Sequence, residues 1–309
     1  MVVVCGEALM DVFATGETAT GLNLRAHVGG SPFNVAVGLA RLARPVSLLG
    51  AVSHDFLGAR LMQALESEGV STATVVRTAA PTTLSLVGLD ARGVPAYAFY
   101  GTEGADRQLT PETLPVRPAG ARAFHFGSYA TVVEPTASAL RALVEAERGR
   151  GVISYDPNVR LNVEPALRTW TDEVEWMLPR THLLKVSEED LSLLYPGAEP
   201  DSLAAAWLAQ GVRLLVVTRG AHGAVAWTRD IRVAVPGVPT TVVDTVGAGD
   251  SFQAALLAWF DERELLSQGA LATLDRERVL EAVRFAAQAA AITCSRAGAD
   301  LPRRAELPR

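Results

Sequence analysis

The chain has 309 residues, with 28 Lys and Arg against 34 Asp and Glu, for a formal net charge of −6. That length can bury a sizeable core and suits one α/β domain with an elaboration. A mildly acidic balance without a basic block leaves no electrostatic footprint for nucleic acid. No apolar run reaches about 18 residues, so no membrane-spanning helix is expected. The start Met1-Val-Val-Val-Cys5-Gly6 reads as a strand rather than a signal peptide, since it lacks a basic n-region, and a cytoplasmic location is the expectation. Cys5 and Cys294 both sit in apolar settings and read as buried free thiols.

Val2 to Cys5 is a continuous apolar run ending at Gly6, the pattern of a central parallel strand buried on both faces. In Gly6-Glu7-Ala8-Leu9-Met10-Asp11, a carboxylate at the carboxyl end of a strand can accept two hydrogen bonds from a vicinal diol; a solvated turn is the competing reading. Residues 12 to 28 read as strands leaving the main sheet, with Gly16 and Gly21 as turn signals. Gly29-Gly30-Ser31-Pro32-Phe33-Asn34 opens an apolar helix, its glycines allowing close approach of backbone to a ligand. Asn34 is the odd polar group on that helix, either a cap or a ligand contact. Val46 to Val52 is a strand, and Leu57 to Glu68 a helix stopped by Gly69. His54, between them, is given no chemical role. Thr82 to Tyr100 alternates around Asp90-Ala-Arg-Gly93 and reads as a hairpin.

Ala123 to Ser128 is a strand in which His125 reads as a satisfied core histidine, and Pro135 to Glu147 is a helix. Gly151 to Tyr155 is a strand leading into Asp156-Pro-Asn-Val-Arg160. Leu183 to Val186 leads into Ser187-Glu188-Glu189-Asp190, a variant capping box opening a helix. Leu214 to Thr218 is a clear parallel strand, followed by Arg219-Gly220-Ala-His222-Gly223. Val233 to Val235, with Val242 and Val243, reads as strand-like sequence before Asp244-Thr-Val-Gly-Ala-Gly-Asp250-Ser-Phe252; a helix covers Gln253 to Phe260. The N–H groups of Gly247, Ala248 and Gly249 at a helix start suit an anion. Asp250 beside them suits a base taking a proton from an attacking hydroxyl, or a plain N-cap. Arg278 to Cys294 is a helix rich in small residues, Ala297-Gly298-Ala299 a closing loop, and Pro302 to Arg309 a surface tail. The repeated strand–helix alternation argues for a mainly parallel sheet covered on both faces.

These motifs, in this order, closely resemble the ribokinase-like (PfkB) carbohydrate kinase family over almost the whole chain. Ala105-Asp106-x-x-Leu109 after Phe99-Tyr100, and Asp156-Pro-Asn-x-Arg160, are most similar to its fructokinase branch. The resemblance implies a three-layer α/β/α sandwich with a mainly parallel central sheet. It implies a single kinase domain over 1–309 with a small β lid from residues about 12–28 and 84–101, the lid also being a homodimer contact. It implies Asp250 as catalytic base and Gly247, Ala248 and Gly249 as the anion hole for the transferring phosphoryl group. Asp11, Gly30, Asn34, Phe99 and Arg160 would bind substrate. Lys185, Thr218, Gly220, Gly223 and Asp244 would bind nucleotide, and Glu188 would hold Mg²⁺ through water. Lys185 stands where the wider family has Asn, which removes the expected metal role from that position. Asp244 and the closing loop would hold a monovalent cation such as K⁺. The implied reaction is ATP-dependent phosphorylation of a sugar hydroxyl, fructose to fructose 6-phosphate. The alternatives are a 2-keto-3-deoxygluconate kinase, which shares an Arg near position 160, and a nucleotide- and sugar-binding regulator without chemistry, against which the intact Asp250 argues.

Overall fold

Successive side chains of each short apolar strand point to opposite faces, and here both faces are buried. In β1 (Val2–Cys5), Val2 and Val4 pack into one core while Val3 and Cys5 pack into another. The computed structural model describes residues 1–89 and 95–308. Among these residues β1 lies between β4 (Val46–Ser53) and β8 (Ala123–Gly127), parallel to both. The sheet continues beyond β4 to β5 (Val75–Thr78). On the other side it runs through β9 (Val152–Asp156), β10 (Leu183–Ser187) and β11 (Leu214–Thr218), all parallel, and closes with antiparallel β12 (Ala224–Trp227) and β13 (Arg232–Val235).

Helices cover both faces, giving three layers. α1 (Ser31–Arg41), α2 (Phe56–Ser67), α7 (Ala248–Glu262) and α9 (Arg276–Cys294) bury their apolar residues in the core that takes Val2 and Val4. α3 (Thr136–Glu147), α4 (Leu167–Met177), α5 (Glu188–Leu194) and α6 (Pro200–Gln210) serve the core that takes Val3 and Cys5. The short α8 (Gln268–Ala272) joins α7 to α9. α7 is apolar almost all round, and Leu256, Leu257 and Phe260 are fully buried, as in a helix that runs through a core.

The segments read as leaving the main sheet do form a separate four-stranded sheet. Its order is β3 (Gly21–Gly29), β2 (Leu9–Thr18), β6 (Leu84–Leu89), β7 (Pro95–Tyr100). β2 pairs with β6 in parallel, placing Asp11 opposite Ser85. The turn expected at Asp90 to Gly93 lies outside the described residues.

Three expectations are corrected. Val242 and Val243 belong to no strand and are 60% and 61% exposed, because Pro236 and Pro239 interrupt the run and the segment borders a cavity. The segment from Pro302 is not a free surface tail: Pro302 and Leu307 are buried, and just before it Arg41 donates to the Leu301 carbonyl at 2.7 Å. Cys294 is only partly buried, since it lines that same cavity. His125 is the expected core histidine, within 3.1 Å of the Ser154 hydroxyl and held neutral by burial, its pKa lowered to about 3.

Candidate active site

The geometry starts at the N-terminus of α7. Gly247 caps that helix in the left-handed conformation, φ 76°, and a Cβ there would sit 2.7 Å from the Cβ of Ala299, so only glycine fits. Asp244 braces the approach to the cap. Its Oδ1 accepts the Val246 N–H at 3.0 Å and its Oδ2 accepts the Gly298 N–H at 2.8 Å, tying residues 244–247 to the closing loop.

Asp250 is therefore not the N-cap but the third residue of the helix, with a buried side chain. Two residues from the first turn of α1 hold its carboxylate: Ser31 Oγ donates to Oδ1 at 2.6 Å and Asn34 Nδ2 donates to Oδ2 at 2.8 Å. Ser31 and Asn34 are three apart, which puts them on one face of α1. Burial pushes the Asp250 pKa above its usual range, opposed by these two hydrogen bonds and the positive charges of Arg160 and Lys185. Asn34 was expected to contact substrate; it borders the cavity, but its amide is also the partner of Asp250.

A polar cavity of about 570 Å³ opens over this carboxylate, between the carboxyl ends of the strands and the four-stranded sheet. Asp11, Gly30, Asn34, Phe99 and Arg160 all line it, as do Gly247, Gly249 and Asp250. Asp11 is pushed above the usual carboxylate range by burial, with the Ser85 hydroxyl and Arg160 pulling it back. Gly29 has no room for a Cβ because Asp11 Oδ2 occupies that space. The Arg160 guanidinium donates to the Val159 carbonyl at 2.9 Å. Phe99 meets Tyr129 edge to face, their ring centroids 5.4 Å apart. Ser128 and Asn158 follow β8 and β9 with φ values of 58° and 42°, and both line the cavity. Non-glycine residues held in the left-handed region are strained, and such strain gathers at functional sites.

A second, more apolar cavity of about 520 Å³ lies on the other side of the glycine loop. Thr218, Gly220, Gly223 and Ala248 line it, with Ala287, Ala290 and Ala291 of α9 forming a flat wall of small side chains. Thr245 and Gly249 border both cavities, so the two meet at the loop that precedes Asp250.

Lys185 is the single lysine of the sequence. It stands on β10, buried, with Nζ donating to Asp156 Oδ2 on neighbouring β9 at 2.7 Å. A Cβ on Gly249 would lie 3.2 Å from that Nζ, so the ammonium borders the glycine loop from below the cavities. Asp244 and Glu188 line neither cavity. Glu188 is exposed at the first position of α5, and no group of three or more His, Cys, Asp or Glu among the described residues could hold a metal ion. Mg²⁺ fits such a site only in company with nucleotide phosphates, the way that ion commonly binds.

Sequence reasoning missed Ser31, Ser85, Glu7, Asn158 and Tyr129. Ser31 and Asn158 lie inside motifs that were read, and only the fold shows what they face.

A polar cavity with carboxylate acceptors, an apolar cavity with a small-residue wall, and a glycine loop between them are the parts needed to move a phosphoryl group onto a hydroxyl. The chain belongs to the pfkB family of carbohydrate kinases, whose model matches residues 1–305. It is 35% identical over 277 residues to a fructokinase of Rhizobium leguminosarum bv. trifolii, covering 90% of this chain and 85% of that protein. Its fold matches the crystal structure of Xylella fastidiosa fructokinase with bound ATP, with TM-score 0.87 and 28% identity over 99% of this chain and 94% of that one. It also matches Vibrio cholerae O395 fructokinase in its fructose-, ADP- and calcium-bound form, with TM-score 0.81 and 27% identity over 96% of this chain and 94% of the other.

Proposed function

We propose that this carbohydrate kinase transfers the terminal phosphoryl group of ATP to fructose, giving fructose 6-phosphate. The observation that carries the reading is the meeting of two cavities at Gly249, with the buried Asp250 carboxylate on the sugar side. The fructokinases of Rhizobium, Xylella and Vibrio, all similar to this chain, support fructose as the sugar.

In this reading Asp11, Gly30, Asn34 and Phe99 hold the sugar so that one hydroxyl faces Asp250, which takes its proton as the bond to phosphorus forms. The N–H groups of Gly247, Ala248 and Gly249 receive the equatorial oxygens, aided by the partial positive charge of the helix start. Arg160 and Lys185, both close enough to act on Asp250, add positive charge. Thr218, Gly220 and Gly223 hold the nucleotide against the alanine wall of α9. Mg²⁺, when bound with the nucleotide, would supply neutralisation of phosphate charge. Glu188 is the carboxylate assigned to it through water, and Asp244 with the Gly298 loop is assigned to a monovalent cation such as K⁺.

Residues 1–309 act as one kinase unit in which the four-stranded sheet is a lid. Its outer strand β3 carries Leu22 and Leu24, 52% and 51% exposed, which supports a homodimer contact there. No helix among the described residues is long and apolar enough to cross a membrane, which fits the cytoplasmic assignment.

The test is a coupled ADP-release assay over a panel of neutral and acidic sugars. Fructose turned over with the highest kcat/KM supports the reading. A faster reaction with 2-keto-3-deoxygluconate moves the enzyme to that branch, and binding of ATP and sugar without ADP release would make it a regulator.

A further inference from the structure

We propose that the Glu7 carboxyl group belongs to the sugar subsite as a hydrogen-bond donor, giving its own proton to a hydroxyl or ring oxygen of the substrate. This rests on the sugar-kinase reading of the polar cavity.

Glu7 follows β1 by two residues and lines that cavity, yet it is only 1% exposed. Its Oε2 is buried and has no hydrogen-bond partner among the described residues. Its backbone packs closely on the loop before α1: a Cβ on Gly30 would come within 2.8 Å of the Glu7 carbonyl oxygen. A buried polar atom at a cavity wall without a partner in the protein is costly unless a ligand completes it.

The charges around it decide which form it takes. Asp106 faces it from the turn after β7, Asp11 lies on β2, Asp250 lies on α7, and Arg160 follows β9. Ser128, beyond β8, brings its hydroxyl to the carboxyl group. Tyr129 offers it no proton, because its hydroxyl donates to Asp106 Oδ2 at 3.0 Å. Of the charged groups, Asp106 raises the Glu7 pKa and Arg160 lowers it, while Arg160 also faces Asp11 and Asp250, and Arg107 faces Asp106. Burial raises the Glu7 pKa to about 8, with Ser128 opposing, so the group keeps its proton at neutral pH.

A neutral carboxyl donates as well as accepts. Asp11 and Asp250 can only accept when ionised, so they read the donor side of the sugar hydroxyls. Glu7 reads the acceptor side, as does Asn158, whose buried Nδ2 is likewise without a partner among the described residues.

The experiment measures KM for fructose and for ATP from pH 6.5 to 9.5 in the parent, Glu7→Gln and Glu7→Leu. In the parent, KM for fructose should rise above about pH 8, approaching about tenfold per pH unit as one proton is lost. Glu7→Gln, a donor that does not titrate, should raise KM only a few-fold and hold it flat with pH. Glu7→Leu should raise it at least about tenfold at every pH, the loss of a buried hydrogen bond, with KM for ATP within about twofold. An alkaline rise that survives in Glu7→Gln, or parent-like fructose KM in Glu7→Leu, would overturn the proposal. Loss of fructose and ATP affinity together in Glu7→Leu would assign Glu7 to the fold and overturn it too. If another sugar proves the better substrate, the same titrations with that sugar carry the same outcomes, so the fructose assignment can fail without deciding the role of Glu7.

Discussion

Lys185 Nζ and Asp156 Oδ2 are 2.7 Å apart on adjacent strands, both side chains nearly free of solvent, directly beneath the glycine loop. An ammonium has three donors and Asp156 takes one, which leaves charge for a phosphoryl oxygen. Lys185→Met should lower kcat by roughly 10²–10³-fold, the scale of one lost electrostatic contact to the transition state. It should also destabilise the fold by about 3–5 kcal/mol, because Asp156 is left buried and unpaired. The double variant Lys185→Met/Asp156→Asn separates the two effects: thermal unfolding should recover while turnover stays low. Parent-like kcat in that folded double variant would remove Lys185 from the chemistry.

Asp250→Asn should keep the fold and the KM for ATP while losing about two to four orders of magnitude in kcat, as expected for a positioned base. Its neighbours set where the base works. As the proposed base, Asp250 must act deprotonated, and burial raises its pKa, so activity should fall as pH drops through that raised value. Asn34 opposes the rise by donating to Oδ2. Asn34→Ala should therefore move the acid limb of the kcat–pH profile to higher pH. A limb that stays in place or moves down would show that Asn34 does not tune the base.

The pH dependence of stability follows from the same burial. Glu7 is raised to about 8, and Glu173 to about 7 by burial against the pull of Arg141. Both folded values lie above the unfolded one, so their contribution is full at low pH and is lost as pH rises through about 7 to 8. His182, lowered to about 4 by burial, acts oppositely and only below its unfolded value of 6.5. The melting temperature should thus fall between pH 6.5 and 8.5, a window above the histidine range. Glu7→Gln should gain on the parent across that window; an equal decline in both would show that Glu7 does not titrate there.

The glycine loop and the strand–helix order were legible because each rests on local rules. Gly247 needs φ above zero, and buried strands read as short apolar runs. What local rules cannot show is which distant groups meet. Ser31 holds Asp250 across 219 residues of sequence, and Lys185 finds Asp156 only because β9 and β10 are neighbours. Val242 and Val243 misled because an apolar pair reads as strand, whether it is buried or borders a cavity. Leu307 misled in the opposite way: a lone leucine in a polar, proline-flanked stretch reads as surface, yet it is buried in the core, which no pattern in its own segment foretells.

The four-stranded sheet stands apart from the nine-stranded one and carries Asp11, Ser85 and Phe99 over the polar cavity. Its strand β3 is exposed along almost its whole length. Sheets with few buried contacts open at low free energy, and substrate closes such elements. Sugar should therefore slow amide exchange in residues 12–28 and in the described parts of 84–101 more than in β1 or β8. Unchanged exchange in both segments with saturating sugar would end the lid assignment.

Arg160 decides between sugar classes. It lines the polar cavity, and among the described residues no carboxylate pairs with it within 4.0 Å, so its guanidinium is available to a phosphoryl oxygen or to a substrate carboxylate. Fructose has no carboxylate, whereas 2-keto-3-deoxygluconate has one. If Arg160 serves the phosphoryl group, Arg160→Ala should lower kcat for every sugar by a similar factor, about tenfold or more, and barely change discrimination. If it holds a carboxylate, the loss should fall on KM for the acidic sugar, since a charge-assisted bidentate bond disappears. The first outcome is expected, because Arg160 is the one basic side chain among the described residues lining the polar cavity, and in the proposed reading it serves the phosphoryl group, leaving no second cation for a substrate carboxylate. Measuring kcat and KM for both sugars in parent and variant settles the matter. A parent enzyme that saturates with the keto-deoxy acid at far lower concentration than with fructose, and loses that preference in Arg160→Ala, would overturn the fructose assignment.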